Sequence, residues 1–169
     1  MRILGVAGWS GSGKTTLLTR LIPLLVGRGL QVAALKHAHH NFDIDQPGKD
    51  SFQHRMAGAR EVLVSSANRW ALMHENRGAP EASLEDLIGK LSPCDIVLVE
   101  GFKSEPHDKI EVHRKANGKP MLCTDDASVI ALATDLAAPD VTIPVLPLDD
   151  IDAIAAFVLR HCGLAERAP

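Results

Sequence analysis

Apolar residues in this chain fall into two kinds of stretch, short continuous runs and longer segments at helical spacing. Ile3 to Ala7 is a continuous run bounded by glycine, the pattern of a buried parallel strand. A Gly/Ser loop over Gly8 to Gly13 follows it. From Lys14 to Arg28, Leu17, Leu18, Leu21, Ile22 and Leu25 recur on one helical face. Pro23 inside that pattern is expected to kink or shorten the helix, and Gly27 and Gly29 suit its end. Gln31 to Lys36 reads as a second buried strand, and 37–48 as a polar loop. Asp50 is placed to cap a helix reaching about Gly58, with Gln53 at the capping-box position. Glu61 to Ser65 and Arg69 to His74 predict a hairpin around Ser66-Ala67-Asn68.

Ser83, with Asp86 three residues on, predicts the next helix cap, and Leu84, Leu87, Ile88 and Leu91 supply its apolar face. Asp95 to Glu100 is the clearest strand. Lys109 to His113 alternates apolar and polar, as expected of a strand exposed on one face. Val129 to Ala133 and Val141 to Val145 predict two more buried strands. Asp149 or Asp150 starts a final helix, and the tail after Gly163 is expected to fray. Strands alternating with helices predict an α/β fold: a mainly parallel sheet with helices on both faces and one β-hairpin insertion. The length suits a single domain over residues 1–163, with 164–169 as tail.

Composition narrows the class. With 46% hydrophobic and 23% charged residues the chain is globular rather than disordered or fibrous. Aromatics are 4% and tyrosine is absent, so the core must be aliphatic. A formal charge of −3 argues against non-specific binding to nucleic acid or an anionic membrane. No run approaches the ~20 apolar residues of a membrane span, and a cytoplasmic location is expected. Cys94, Cys123 and Cys162 are odd in number and widely spaced, which suits free thiols in a reducing compartment.

The strongest chemical signal is Gly8-Trp9-Ser10-Gly11-Ser12-Gly13-Lys14-Thr15, a full G-x-x-x-x-G-K-[ST] phosphate loop between a strand and a helix. Its glycines let backbone N–H groups turn inward around phosphate oxygens, and the helix N-terminus adds positive dipole. Gly8, Ser10, Gly11, Ser12 and Gly13 form the cradle. Lys14 reaches the β- and γ-phosphates and is a catalytic candidate, while the Thr15 hydroxyl is a ligand for Mg²⁺. Thr16 has two readings, a contact to an α-phosphate or a first-turn hydroxyl bonded to the backbone. An indole at position 9 either shields the site, packs on the sheet or faces a partner.

Glu100 closes the clearest strand at the carboxyl edge of the sheet, where it can hold a metal-bound water or orient an attacking one. It is a second catalytic candidate and a candidate for Mg²⁺; the usual residue there is Asp. Asp43 and Asp45 either contact Mg²⁺ or cap the following segment. Lys36 is a candidate phosphate contact at its strand end. His37, His39 and His40 either line the phosphate edge, stand exposed or bind a transition metal. Asp135, just past a buried strand, either accepts from the N1–H and N2–H₂ edge of guanine or starts a turn.

With the phosphate loop stand Lys36-His37, Phe42-Asp43-Ile44-Asp45, Pro47-Gly48-Lys49-Asp50-Ser51, Ala57-Gly58-Ala59 and Val99-Glu100-Gly101-Phe102-Lys103. Lys109-Ile110-Glu111-Val112-His113-Arg114 and Ala133-Thr134-Asp135 follow. In this order, over roughly residues 1 to 160, they resemble the MobB family of molybdopterin-guanine dinucleotide biosynthesis adapter proteins. The resemblance implies a phosphate-loop NTPase-like fold, GTP and Mg²⁺ as ligands, slow GTP hydrolysis and a homodimer. It also implies a guanylyltransferase partner that joins GMP to molybdopterin. It carries the nucleotide site onto Gly11, Gly13, Lys14, Thr15 and Thr16, with Glu100 near Mg²⁺ and Asp135 at the guanine. The hairpin is the expected place for dimer pairing by strand addition. Two other functions use the same loop. One is an ATP-dependent small-molecule kinase, with Arg55, Arg60, Arg69 and Arg77 available for a lid; the other is a metallochaperone GTPase built on the histidines.

Overall fold

The computed structural model describes residues 1–38 and 42–165. The chain divides into two compact units, a larger one of Met1–His37 with the chain from Leu87 on, and a smaller one of Ala38–Asp86.

In the larger unit, six parallel strands form one sheet: β1 (Arg2–Ala7), β2 (Val32–Lys36), β5 (Ile96–Glu100), β6 (Lys109–His113), β7 (Val129–Thr134) and β8 (Val145–Pro147). Their spatial order is β2-β5-β1-β6-β7-β8. The two long helices, α1 (Lys14–Gly27) and α4 (Ile151–Cys162), pack on each other and share one core with Leu4, Val6, Ile96, Leu98, Ile110, Ala131 and Ala133. Because strand residues alternate in direction, this core fixes which residues look toward α1. Glu100 has the parity of Ile96 and Leu98 and so falls on the α1 side, at the carboxyl end of its strand. The opposite face is met by two 3₁₀ turns, Lys115–Asn117 and Leu122–Thr124, and their loops. The expected mainly parallel, phosphate-loop NTPase-like sheet is present.

Several local expectations change. The helix of α1 runs through Pro23 to Gly27, so the proline does not shorten it. β2 is an edge strand and only half-buried, since the sheet ends there. β6 differs most: its alternating residues are all buried, with Lys109 at 1%, Glu111 at 0% and His113 at 7% exposure. It lies between β1 and β7, so its polar face meets protein, and each polar group has a partner there. Lys109 Nζ donates to Ser128 Oγ and lies 3.6 Å from Asp126. Glu111 accepts from Leu122 N and Cys123 N at 2.8 and 2.9 Å. His113 reaches Thr134 Oγ1 and Lys119 O. The last strand is Val145–Pro147 rather than Val141–Val145. Pro144 has no N–H to give a ladder, and its carbonyl instead accepts from Leu132 N at 2.9 Å at the strand's entrance. Asp150 caps α4 by accepting from Ala153 N.

The three cysteines are free, and burial together with Glu111 pushes the Cys123 thiol up to about 11. The last residues of the expected tail lie outside the described part.

The smaller unit contains α2 (Asp50–Met56) and the antiparallel pair β3 (Glu61–Ser65) and β4 (Trp70–His74), the expected hairpin. Asp50 is the first helical residue, not the cap; Lys49 occupies the cap position. Ser83 and Asp86 make the expected capping box at α3 (Leu84–Ile88): Ser83 Oγ donates to Asp86 Oδ2 at 2.7 Å and accepts from Asp86 N at 3.1 Å. This helix stops before Leu91. No residue of α2 is buried; the unit is knitted instead by Arg55. Its guanidinium donates to Asp43, Asp45 and Glu75 at 2.8, 3.1 and 2.8 Å and lies over the Phe52 ring.

Candidate nucleotide-binding site

β1 delivers the phosphate loop to the N-terminus of α1. The loop turns back tightly at Gly8, whose φ of +143° is open to glycine. A Cβ there would collide with Val112 O of the neighbouring strand. Above the loop lies a cleft of about 420 Å³, lined by Ser10, Gly11, Gly13, Lys14, Thr15, Thr16, Lys36 and Glu100. All eight are candidates from the sequence. Gly8 and Ser12 lie off that wall; Ser12 is 1% exposed and builds the loop from beneath.

Lys14 Nζ donates to the carbonyls of Gly8 and Trp9 at 3.0 and 2.9 Å, within its own loop. Burial holds its pKa below that of an ordinary lysine; Glu100 opposes that shift, and Lys103 and Lys36 add to it. Three ammonium groups thus share the field of one carboxylate. The Thr15 hydroxyl is shared between the two carboxylate oxygens of Glu100, at 3.1 and 3.2 Å. Lys36, paired in register with Glu100 across β2 and β5, places Nζ 3.5 Å from the same carboxylate.

The turn after β5 fixes Glu100. Gly101 has φ +104° and Phe102 φ +50°, two left-handed residues in succession. A Cβ on Gly101 would meet His37 Cβ at 2.7 Å. A left-handed phenylalanine costs on the order of 1–2 kcal/mol. Here Phe102 is buried, with its ring 4.6 Å from that of His37, while His37 N donates to Glu100 O.

The donor set suits a hard cation: a hydroxyl and a carboxylate meet beside the phosphate cradle. Asp45 belongs to the smaller unit, where Oδ1 accepts from Ser51 and Gln46 N and Oδ2 from Arg55. Of its two readings, the local one accounts for both oxygens. Asp43 likewise accepts from Asp45 N and Arg55. Asp135 follows β7 as expected; its Oδ1 accepts from Lys115 N at 2.8 Å, and Arg114 Nη1 lies 3.9 Å from Oδ2. It is not part of the cleft wall. His39 and His40 lie outside the described residues. Among those described, no three His, Cys, Asp or Glu side chains converge as a metal cluster.

Trp9 resolves into a surface role. Its Nε1 donates to Pro120 O at 2.8 Å, and Lys103 and Lys119 place ammonium groups 4.9 and 5.8 Å from its ring centre. Sequence reasoning missed this partnership and the placing of residues 114–120 beside the phosphate loop. The available signal was the element order: a strand in the middle of a parallel series ends at the ligand edge, so the residues after His113 belong beside the phosphate loop.

The family model for molybdopterin guanine dinucleotide synthesis protein B, MobB, matches residues 3–135. A molybdopterin-guanine dinucleotide biosynthesis adapter protein of Escherichia coli (strain K12) is 42% identical over 161 residues, covering 94% of this chain and 91% of the relative. The protein of that description from Haemophilus influenzae is 41% identical over 158 residues, covering 92% and 86%. The crystal structure of Bacillus subtilis MobB superposes with a TM-score of 0.75 at 26% identity, covering 99% of this chain and all of that one. The match spans the phosphate loop, Glu100 and Asp135 alike, and this chain belongs to the MobB family.

Proposed function

We propose that the chain is a GTP-binding adapter of molybdopterin-guanine dinucleotide biosynthesis, with weak Mg²⁺-dependent GTPase activity, assisting a guanylyltransferase that attaches GMP to molybdopterin. The observation that carries this reading is the cleft itself. A phosphate cradle, a lysine and a Thr15–Glu100 pair converge at one helix N-terminus. The relatives named as adapters in this biosynthesis support the pathway.

Lys14 exchanges its bonds to Gly8 O and Trp9 O for phosphate oxygens, which are better acceptors because they are charged. Thr15 and Glu100 hold Mg²⁺, which neutralises charge on the β- and γ-phosphates when bound. Glu100 also orients water at the phosphate edge, and Lys36 restrains its carboxylate. Asp135 reads guanine. Its bond to Lys115 N does not exhaust it, because a carboxylate offers about four lone-pair positions.

The dimer reading rests on the hairpin. One of its faces carries Glu61, Leu63 and Ser65 opposite His74, Leu72 and Trp70, with Leu63 60% and Trp70 64% exposed. An apolar two-stranded sheet with open edges suits pairing with a second copy by strand addition. A cytoplasmic setting, with neither nucleic acid nor membrane as partner, fits the net charge of −3. No helix among the described residues is long and apolar enough to cross a membrane. A kinase lid finds little support, since Arg55 serves three acids and Arg77 donates to Arg55 O and Ala59 O.

Calorimetric titration with GTP and ATP in Mg²⁺ tests the reading. GTP is expected to bind more tightly, and ATP preference with transfer to an acceptor would replace the adapter with a kinase. Lys14→Ala should lose about 1.5–3 kcal/mol of triphosphate binding, the scale of a hydrogen bond to a charged group. Unchanged affinity would remove Lys14 from the site. Asp135→Asn should lower the preference for GTP over ATP, and an unchanged ratio would assign the base to another group.

A further inference from the structure

The chain from Val112 to Pro120 runs along the phosphate loop. Val112 O fills the space that Gly8 leaves free. Asn117 Nδ2 donates to Ser10 O at 3.4 Å, and Pro120 O accepts from the Trp9 indole. The segment is fastened twice, by His113 Nε2 to Lys119 O at 3.1 Å and by Lys115 N to Asp135 Oδ1. Between these fixed points Arg114 lies against the start of α1. A methyl group built on Gly13 would meet its Nε at 3.3 Å and its Nη2 at 3.6 Å.

That is an unfavourable place for a lone cation. The N-terminus of a 14-residue helix carries partial positive charge, and Lys14 is the next residue. Among the described residues, the acid within ion-pair distance is Asp135, at 3.9 Å, the outer limit of an ion pair. About a third of the Arg114 side chain remains exposed, so an anion can reach it. β5 and β6 flank β1 on opposite sides. Glu100 and Lys36 therefore approach the phosphate loop from one flank and Arg114 from the other.

We propose that Arg114 is a phosphate-binding residue of the nucleotide site, donating to the phosphate chain of a nucleoside di- or triphosphate from the β6 flank. The inference rests on reading the cleft as a nucleotide site. A guanidinium suits this task because it presents two parallel N–H donors to one phosphate. Charge on the phosphate then offsets the repulsion among Arg114, Lys14 and the helix N-terminus. Asp135 keeps its bond to Lys115 N and stays in place as Arg114 turns to phosphate.

The test titrates the full-length protein, Arg114→Gln, Arg114→Lys and Lys14→Ala with GTP and ATP in Mg²⁺, and records the ligand-free melting temperature of each. Phosphates are common to both nucleotides, so Arg114→Gln should weaken GTP and ATP by the same factor, about ten- to hundredfold. The GTP-to-ATP ratio and the ligand-free melting temperature should not move, and Arg114→Lys should recover part of the affinity. Lys14-dependent binding that ignores Arg114→Gln would overturn this inference while leaving the cleft reading intact. Loss confined to GTP would also overturn it, since Arg114 would then act through Asp135. A fall in ligand-free melting for both Arg114 variants, with no recovery by lysine, would make the residue structural. Wild-type protein that binds neither nucleotide would sink the cleft reading and this inference together.

Discussion

The two units of the chain hold themselves together by different means. In the larger, leucines of α1 and α4 and alternate residues of the strands are removed from water around one aliphatic core. In the smaller, α2 has no fully buried residue and one arginine ties Asp43 and Asp45 to Glu75. Apolar burial is indifferent to pH and acts wherever area is lost from water. An ion-pair hub is directional and depends on each partner staying charged. The contrast teaches where each job can reside. The cleft over the phosphate loop, lined by Lys14, Lys36 and Glu100, stands on a scaffold that does not yield when charges change. The hairpin can leave Leu63, Trp70 and Leu72 outside, because the integrity of its unit comes from elsewhere.

The largest expected effect tests the first half of that contrast. Leu21 is fully buried in the core, and Leu21→Ala should cost about 2–5 kcal/mol of global stability, read from denaturant unfolding. A loss below 1 kcal/mol would mean that the core is not what holds the sheet. An intermediate and local effect is expected in acid. Hydrogen bonds from Arg55 and Asp45 N hold Asp43 below the ordinary value of 3.8, and those from Ser51, Gln46 N and Arg55 do so for Asp45. Their contribution is therefore complete above that value and is lost as pH falls through their folded values. Hydrogen exchange at β3 and β4 should rise in that window before exchange in β1 and β5 does. Simultaneous opening would erase the distinction between the units. The smallest effect is predicted for Leu72→Ser on the exposed face of the hairpin. Stability within one chain should change by no more than about 0.5 kcal/mol. Self-association, read by sedimentation, should weaken; an unaltered association constant would move the dimer contact away from this face.

What could be read from the sequence follows the same division of forces. α1, β5 and the phosphate loop are legible because their signals are local, a helical stripe, an apolar run and a glycine spacing. Glu100 follows from its place at the carboxyl end of the clearest strand. β6 misleads because Lys-Ile-Glu-Val-His is also the pattern of a half-exposed strand. Only long-range partners such as Ser128, Leu122 and Thr134 make its polar side an interior. β8 slips because apolar residues on either side of Pro144 give equal local signals, and the choice is made by pairing with Leu132 to Thr134. Asp45 divides its oxygens among Ser51, Gln46 N and Arg55, two of them brought close by folding of the smaller unit. Arg114 shows in the sequence only as the last residue of the stretch from Lys109, with no role of its own. Its meaning comes from Gly13, a hundred residues earlier in the chain.

The partition into two units has an optical consequence. The chain has two tryptophans and no tyrosine. Trp9 stands in the larger unit, inside the phosphate loop and beside two ammonium groups, and Trp70 stands on the exposed strand of the smaller one. Each unit thus carries its own intrinsic fluorophore, free of tyrosine emission. Trp70→Phe would leave a lamp that reports the phosphate loop alone, and Trp9→Phe one that reports the hairpin. Events at the two ends of the protein's work become separable by colour and quenching, without attaching a dye.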